Sequence, residues 1–169
     1  HEPHPDKMLA DREGSDRFTT DYLVDEVLSR QSQAVQEFLL KTAVLDRLCA
    51  PLCAAVMGSG SAEDGQAYLE RLVKENLFVV ALDDQGAWFR YHHLFRQLLR
   101  NRLLRQYGSD ELAALHGRAS AWFAGVDLVD EAIAYGLASG DESGVVRLVE
   151  ANRHAAMNQE RWLQLDGWL

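Results

Sequence analysis

The tract Ala87-Trp-Phe-Arg-Tyr-His-His-Leu-Phe-Arg-Gln-Leu-Leu-Arg100 runs a short aromatic segment straight into a helical apolar pattern, with two adjacent histidines at the junction. Upstream, Leu77-Phe-Val-Val-Ala-Leu82 is followed by the polar Asp83-Asp-Gln-Gly86, so two apolar runs bracket a glycine-bearing turn, the pattern of a β-hairpin. A single hairpin is marginal in water and has to pack on helices. The remainder of the chain reads as helix. The order helix, helix, helix, hairpin, helix is that of a winged helix-turn-helix. It sets His92 and His93 at a fixed corner, where a polar side chain can face a ligand or a neighbouring domain.

The helices follow from apolar spacing. Tyr22, Leu23, Val27 and Leu28 recur near helical period behind Thr19 or Thr20, predicting a first helix that ends near Arg30. Ser32 precedes Val35, Phe38, Leu39 and Leu40, and this series continues through Ala43, Val44 and Leu45, predicting a second helix to about Leu48. Pro51, tolerated in a first turn, opens a short third helix that stops at Gly58. A fourth begins at Ser61, with Glu63 and Asp64 complementing its dipole and Leu69, Leu72, Val73 and Leu77 on its inner face. After the hairpin, Leu94, Phe95, Leu98, Leu99, Leu103 and Leu104 make an amphipathic helix, ringed by Arg90, Arg96, Arg100, Arg102 and Arg105. That cluster suits an acidic neighbour or a nucleotide phosphate, but a solvated helix flank is the favoured reading, because charge runs on helices usually face solvent.

Gly108-Ser-Asp110 breaks the pattern. Beyond it lie helices around Leu112–Phe123, Val129–Leu137 and Val145–Ala151, with Trp162, Leu165 and Trp168 suggesting another. Short helices joined by small-residue turns, with Ala132, Ala134 and Ala138 allowing close approach, describe an α-solenoid of TPR-like type. The fold class is therefore mainly α, a winged helix followed by solenoid helices. The domains are an arm or linker over 1–32, the winged helix over 33–107 and the start of the repeats over 108–169. The non-Met first residue and the uncapped solenoid suggest a piece of a longer protein.

Composition narrows the function. The 169 residues carry 17 Lys plus Arg against 26 Asp plus Glu, a formal charge of -9 that repels a phosphate backbone. In a winged helix the helix after Ser61 would be the recognition helix. Its Glu63, Asp64, Glu70 and Glu75 set four acids against Arg71 and Lys74, which disfavours reading a DNA major groove. Direct binding of nucleic acid is not expected. No run approaches the roughly 18 apolar residues of a membrane span, so no membrane partner is expected. The two cysteines, Cys49 and Cys53, lack His or Cys neighbours for a zinc site and read as small core residues in a reduced, cytoplasmic setting. His92 and His93 point about 100° apart on a helix, and Phe95, Arg96 and Gln97, three and four places on, are not metal ligands. His116 reads as an interface or surface histidine. With no phosphate loop, no G-x-S-x-G elbow and no H-E-x-x-H pair, catalysis by this chain is not expected.

Several spaced blocks agree, in order, with one family. Asp16-Arg-Phe-Thr-Thr-Asp-Tyr-Leu-Val-Asp-Glu-Val-Leu28, Phe38-Leu-Leu-Lys-Thr-Ala-Val-Leu-Asp-Arg-Leu48 with Pro51-Leu-Cys, Leu69-Glu-Arg-Leu with Asn76-Leu-Phe, and Tyr91-His-His-Leu-Phe95 resemble the large ATP-dependent LuxR-type transcription regulators, the MalT group. The likeness runs from about 16 to 152 and includes Val129-Asp-Glu-Ala-Ile133 and Ala138-Ser-Gly-Asp141. It implies a parent in which a P-loop ATPase of the STAND class precedes a helical arm, a winged helix, a superhelical sensor of repeats and a DNA-binding helix-turn-helix, this chain being the middle. It also implies a switch: the winged helix folds onto the ATPase at rest, and a histidine in a Met-His-Asp context contacts the phosphates of bound ADP. Here Tyr91-His92-His93 is similar, His92 matching that histidine. Tyr91 replaces Met, and His93 replaces the Asp that could orient the imidazole, so His93 carries the role only weakly.

On this reading the cofactor is the parent's ATP or ADP, with none in the chain itself, and the partners are the parent's ATPase and helical-repeat sensor. Self-association through the cut solenoid is also allowed. The alternative, from a different class, is an autonomous helical scaffold that binds a partner protein through its acidic and aromatic surfaces.

Overall fold

The computed structural model describes residues 26–58 and 62–158. Residues 26–29 are helical; the rest of the first predicted helix, and the helix suggested around Trp162, lie outside the described residues. Helix α1 (Gln33–Thr42) is capped by the Ser32 hydroxyl, which accepts from Val35 N–H. Helix α2 (Ala50–Met57) carries Pro51 in its first turn and ends at Gly58, whose φ of 70° is the left-handed closure that glycine reaches without strain. Helix α3 spans Ala62–Lys74, and the wing follows as β1 (Val79–Ala81) and β2 (Phe89–Tyr91). Then come α4 (His93–Gln106), α5 (Ser109–Gly125), α6 (Val129–Ser139) and α7 (Glu142–Asn158). This is a winged helix followed by further helices. No helix among the described residues is long and apolar enough to cross a membrane.

The predicted second helix stops six residues early. It ends at Thr42, and residues 43–49 form a loop whose Ala43, Val44, Leu45, Leu48 and Cys49 are all buried. An apolar series continues whether the chain stays helical or turns through the core, so period alone did not mark the end. At Leu48 the loop becomes a third strand in miniature. Leu48 N–H donates to Phe89 O at 2.7 Å and Phe89 N–H donates back at 2.8 Å, tying β2 to the helical body.

The hairpin is antiparallel, Val79 facing Tyr91 and Ala81 facing Phe89. Its turn is organised by Asp83, whose carboxylate accepts from Ala87 and Trp88 N–H, both at 2.9 Å. These backbone donors, Ala87 first, hold the Asp83 carboxyl below the usual carboxylate range. Phe89 and Tyr91 point into the core, where Phe38 stacks on Tyr68 at 4.7 Å and Leu52, Leu69, Leu72, Phe95, Leu99 and Leu103 close around them. Three predicted core positions face out instead. Val73, Leu94 and Leu104 are 40%, 49% and 61% exposed, because the buried stripes of α3 and α4 run through Leu69 and Leu72 and through Phe95, Leu99 and Leu103.

Glycine fixes one close approach. A Cβ on Gly65 would stand 2.5 Å from Ala50 O, so α3 meets the start of α2 only because position 65 has no side chain. Helices α5 and α6 fold back on one another, with Ser120 Oγ donating to Ala132 O at 2.7 Å and Phe123 stacked on Tyr135 at 5.3 Å. Of the alanines expected at contacts, Ala132 is fully buried while Ala134 and Ala138 are exposed. The apolar core continues from the winged helix into this pair through Leu115, Ala119, Phe123, Ala132 and Tyr135.

Candidate functional site: the corner between wing and helix α4

The corner is built from the end of α3. Leu77 N–H reaches back to Leu72 O at 2.9 Å while Asn76 takes a φ of 52°, a Schellman-type stop with asparagine in the left-handed position. Phe78 follows with a φ of 55°, a conformation rarely adopted by a bulky residue. It sets the phenyl ring 5.0 Å from Phe95 and turns the carbonyl toward the opposite strand, where His92 N–H donates to it at 2.7 Å. The backbone of His92 is therefore pinned by the residue before β1, and its own carbonyl accepts from Arg96 N–H at 2.9 Å as the first bond of α4.

His92 is thus the N-cap of α4, and its side chain makes no capping hydrogen bond. The first-turn N–H groups of a helix have no intrahelical partner and carry the positive end of its dipole, an arrangement that attracts anions. Both histidines are exposed, their ring centroids 4.6 Å apart and tilted by 37°. The structure brings the two predicted site residues together at an open helix start. Phe78, Val80 and Leu82 on the first limb of the wing and Leu94 in the first turn of α4 are each close to half exposed, and the exposed Arg90 stands opposite Val80. Chemically the corner offers two imidazoles, oriented backbone donors and an apolar rim, which suits docking onto a surface that presents an anion. Among the described residues there is no group of three or more His, Cys, Asp and Glu side chains able to hold a metal.

The arginines divide. Arg96 pairs with Asp46 at 2.6 Å, Arg90 and Arg100 are exposed, and Arg102 and Arg105 are engaged in interactions of their own. The acids Glu63, Asp64 and Glu70 on α3 and Glu75 just after it are exposed, with Arg71 bonded to Glu75 at 2.8 Å. Cys49 and Cys53 are free and buried, and burial pushes both thiols up, away from the reactive thiolate.

Sequence reasoning missed a second cluster, at the joint between winged helix and following helices. Arg47 donates to Glu131 at 2.5 Å, and its guanidinium carbon lies 4.3 Å from the centre of the Trp88 ring. Trp88 in turn meets Trp122 edge-on at 6.3 Å. Asp46 N–H donates to the Tyr135 hydroxyl at 2.9 Å, and Arg118 Nε donates to Val56 O at 2.7 Å. Burial raises the Tyr135 phenol to about 12. His116 lies half-buried against Tyr135, its ring 5.9 Å away; desolvation first, and the Arg100 charge second, lower its pKa. One sequence signal existed: Asp46 and Arg47 interrupt an otherwise apolar run from Ala43 to Leu48.

Comparison with known proteins locates this arrangement. Residues 24–111 match the model of the MalT winged helix domain, a stretch holding the whole wing, both histidines and α4. The chain belongs to the MalT winged helix domain family. Among its relatives, the HTH-type transcriptional regulator MalT of Cronobacter sakazakii is 40% identical over 124 residues, 73% of this chain and 13% of that protein. The serine/threonine-protein kinase PknK of Mycobacterium tuberculosis H37Rv is 35% identical over 159 residues, 94% of this chain and 14% of that protein, as is PknK of Mycobacterium bovis. The chain thus spans about one-seventh of the length of the curated relatives it matches. The MalT winged helix domain match ends in the first turn of α5, so the joint is half inside it: Asp46, Arg47 and Trp88 within, Glu131 and Tyr135 beyond.

Proposed function

We propose that this chain is the non-catalytic regulatory middle of an ATP-dependent regulator, which couples the nucleotide state of a P-loop ATPase earlier in the same polypeptide to a helical-repeat sensor. Residues 1–32 serve as arm, 33–107 as winged helix and 108–169 as the start of a TPR-like array, in a cytoplasmic protein of the LuxR-type, STAND-class group. The observation that carries the reading is the exposed N-cap position of His92, at a helix start that its side chain does not cap. In the resting state the His92 imidazole contacts the phosphates of ADP held by the ATPase, His93 contributes little, and the exposed apolar residues of the wing dock around them. The acidic helix α3 lies away from nucleic acid.

The relatives support a switch rather than a chemical role. One is named for kinase activity and another as an HTH-type regulator, yet both share this stretch. A segment common to proteins with different named outputs is suited to control output. The energetics are adequate: a charge-assisted hydrogen bond contributes roughly 1.5 to 3 kcal/mol, which biases a closed state by about 10- to 150-fold. In the full-length polypeptide, His92→Ala is expected to speed ADP release by about tenfold, with His93→Ala having a smaller effect. Release from the His92→Ala protein at the parental rate defeats the proposal.

A further inference from the structure

Three consecutive loop residues between α1 and α2 reach both sides of the molecule. Asp46 accepts from Arg96 in the first turn of α4 and donates its backbone N–H to Tyr135 on α6. Arg47 holds Glu131 on α6 while its guanidinium lies over Trp88 at the foot of β2. Leu48 makes the paired backbone bonds to Phe89 in β2. Both routes converge on one place. Arg96 N–H is the first donor to the carbonyl of His92, and β2 ends one residue before His92.

From this we infer that residues 46–48 are a coupling joint that moves the His92 corner with helix α6, so that a signal received by the helical repeats is delivered to the wing as a rigid displacement. The individual ion pairs do not supply the stiffness. The Asp46 side chain is largely exposed and Arg47 and Glu131 are about one-third exposed, a setting in which pairs contribute little. Stiffness comes from the Asp46–Tyr135 hydrogen bond, the backbone bridge at Leu48, the Trp88–Trp122 contact and the apolar core that runs unbroken across the joint. The polar contacts set direction, because each connects the loop to one named partner. A turn at Tyr107 and Gly108 separates α4 from α5 in the chain, yet the joint braces the two bodies away from that turn, so bending there is resisted. The coupling rests on the proposed function only for its biological use, since the mechanical claim concerns this chain alone.

The test is amide hydrogen exchange on the full-length polypeptide carrying Glu131→Gln with Tyr135→Phe, two changes that touch no residue of the wing. Coupling predicts exchange about five- to tenfold faster at the amides of Leu48, Phe89 and His92, with α1 amides such as Leu40 unchanged, so that the opening is local. By reciprocity, Trp88→Phe at the wing should speed exchange in α6. Acceleration confined to Asp46, with His92 within about twofold of the parent, overturns the inference, as does a Trp88→Phe effect that stops at the wing. Should either change accelerate every amide alike, the joint is merely part of global stability and the inference also fails. Propagation to His92 combined with normal ADP release in His92→Ala would leave the joint standing and remove the nucleotide reading; altered ADP release without propagation would do the reverse.

Discussion

Thr42 and Tyr91, 49 positions apart in the chain, share a hydrogen bond of 2.7 Å inside the core. The Thr42 hydroxyl donates to Phe38 O at 2.6 Å, so the Tyr91 hydroxyl is the donor between the two. This fastens the last turn of α1 to the strand that leads to His92. Burial pushes the Tyr91 phenol up and keeps it neutral. Thr42→Val leaves a buried hydroxyl without its acceptor and should cost about 1 to 3 kcal/mol. Tyr91→Phe leaves Thr42 with its backbone acceptor and should cost less, about 0.5 to 1.5 kcal/mol. Denaturant unfolding of both single variants and the double checks this, and the double variant should be less destabilised than the sum.

Gly65 and Gly136 test close packing in two different ways. A Cβ at 65 meets a backbone carbonyl at 2.5 Å, and one at 136 meets Val145 Cγ2 at 2.6 Å. Both sites are helical, so alanine gains up to about 1 kcal/mol of propensity at either. The backbone of α2 has no rotamer with which to retreat, whereas the Val145 methyl belongs to a side chain. Gly65→Ala should therefore be net destabilising by about 1 to 3 kcal/mol, and Gly136→Ala by clearly less, measured by thermal or urea unfolding.

The wing was legible in the sequence because each of its signals is local. Two apolar runs, a glycine-bearing turn and an arginine-rich helical pattern suffice for β1, β2 and α4, and they put His92 at the corner. Helix ends marked by Pro51 and Gly58 were legible for the same reason. The loop after Thr42 was not, since residues buried from every side show no period. Nor were the outward faces of Val73, Leu94 and Leu104, which depend on how far the partner helices extend. The joint was illegible because Arg47 and Glu131 stand 84 positions apart and Asp46 and Tyr135 stand 89 apart. Nothing near either one names the other.

His116 gives the fold a dependence on acid. Its pKa is lowered by desolvation and by Arg100, with Asp46 opposing. A histidine whose folded pKa lies below the unfolded value of 6.5 leaves stability unaffected above that pH. As pH falls, the unfolded chain takes up a proton that the folded chain refuses, and stability is lost down to the folded pKa. His116→Phe keeps a ring against Tyr135 and removes the titration. The parent should therefore lose melting temperature between pH 7 and 5 more steeply than His116→Phe; parallel curves would show that the histidine contributes nothing to the slope.

The proposed switch requires the His92 ring to be covered when ADP is held. The direct measurement is the rate at which diethyl pyrocarbonate modifies His92 in the full-length polypeptide, read by peptide fragmentation that separates it from His93. In the chain alone the ring is exposed. With ADP bound, modification should slow by at least about fivefold relative to the protein loaded with a non-hydrolysable ATP analogue. Equal rates with ADP, with the analogue and without nucleotide would contradict the claim that this corner closes on the ATPase.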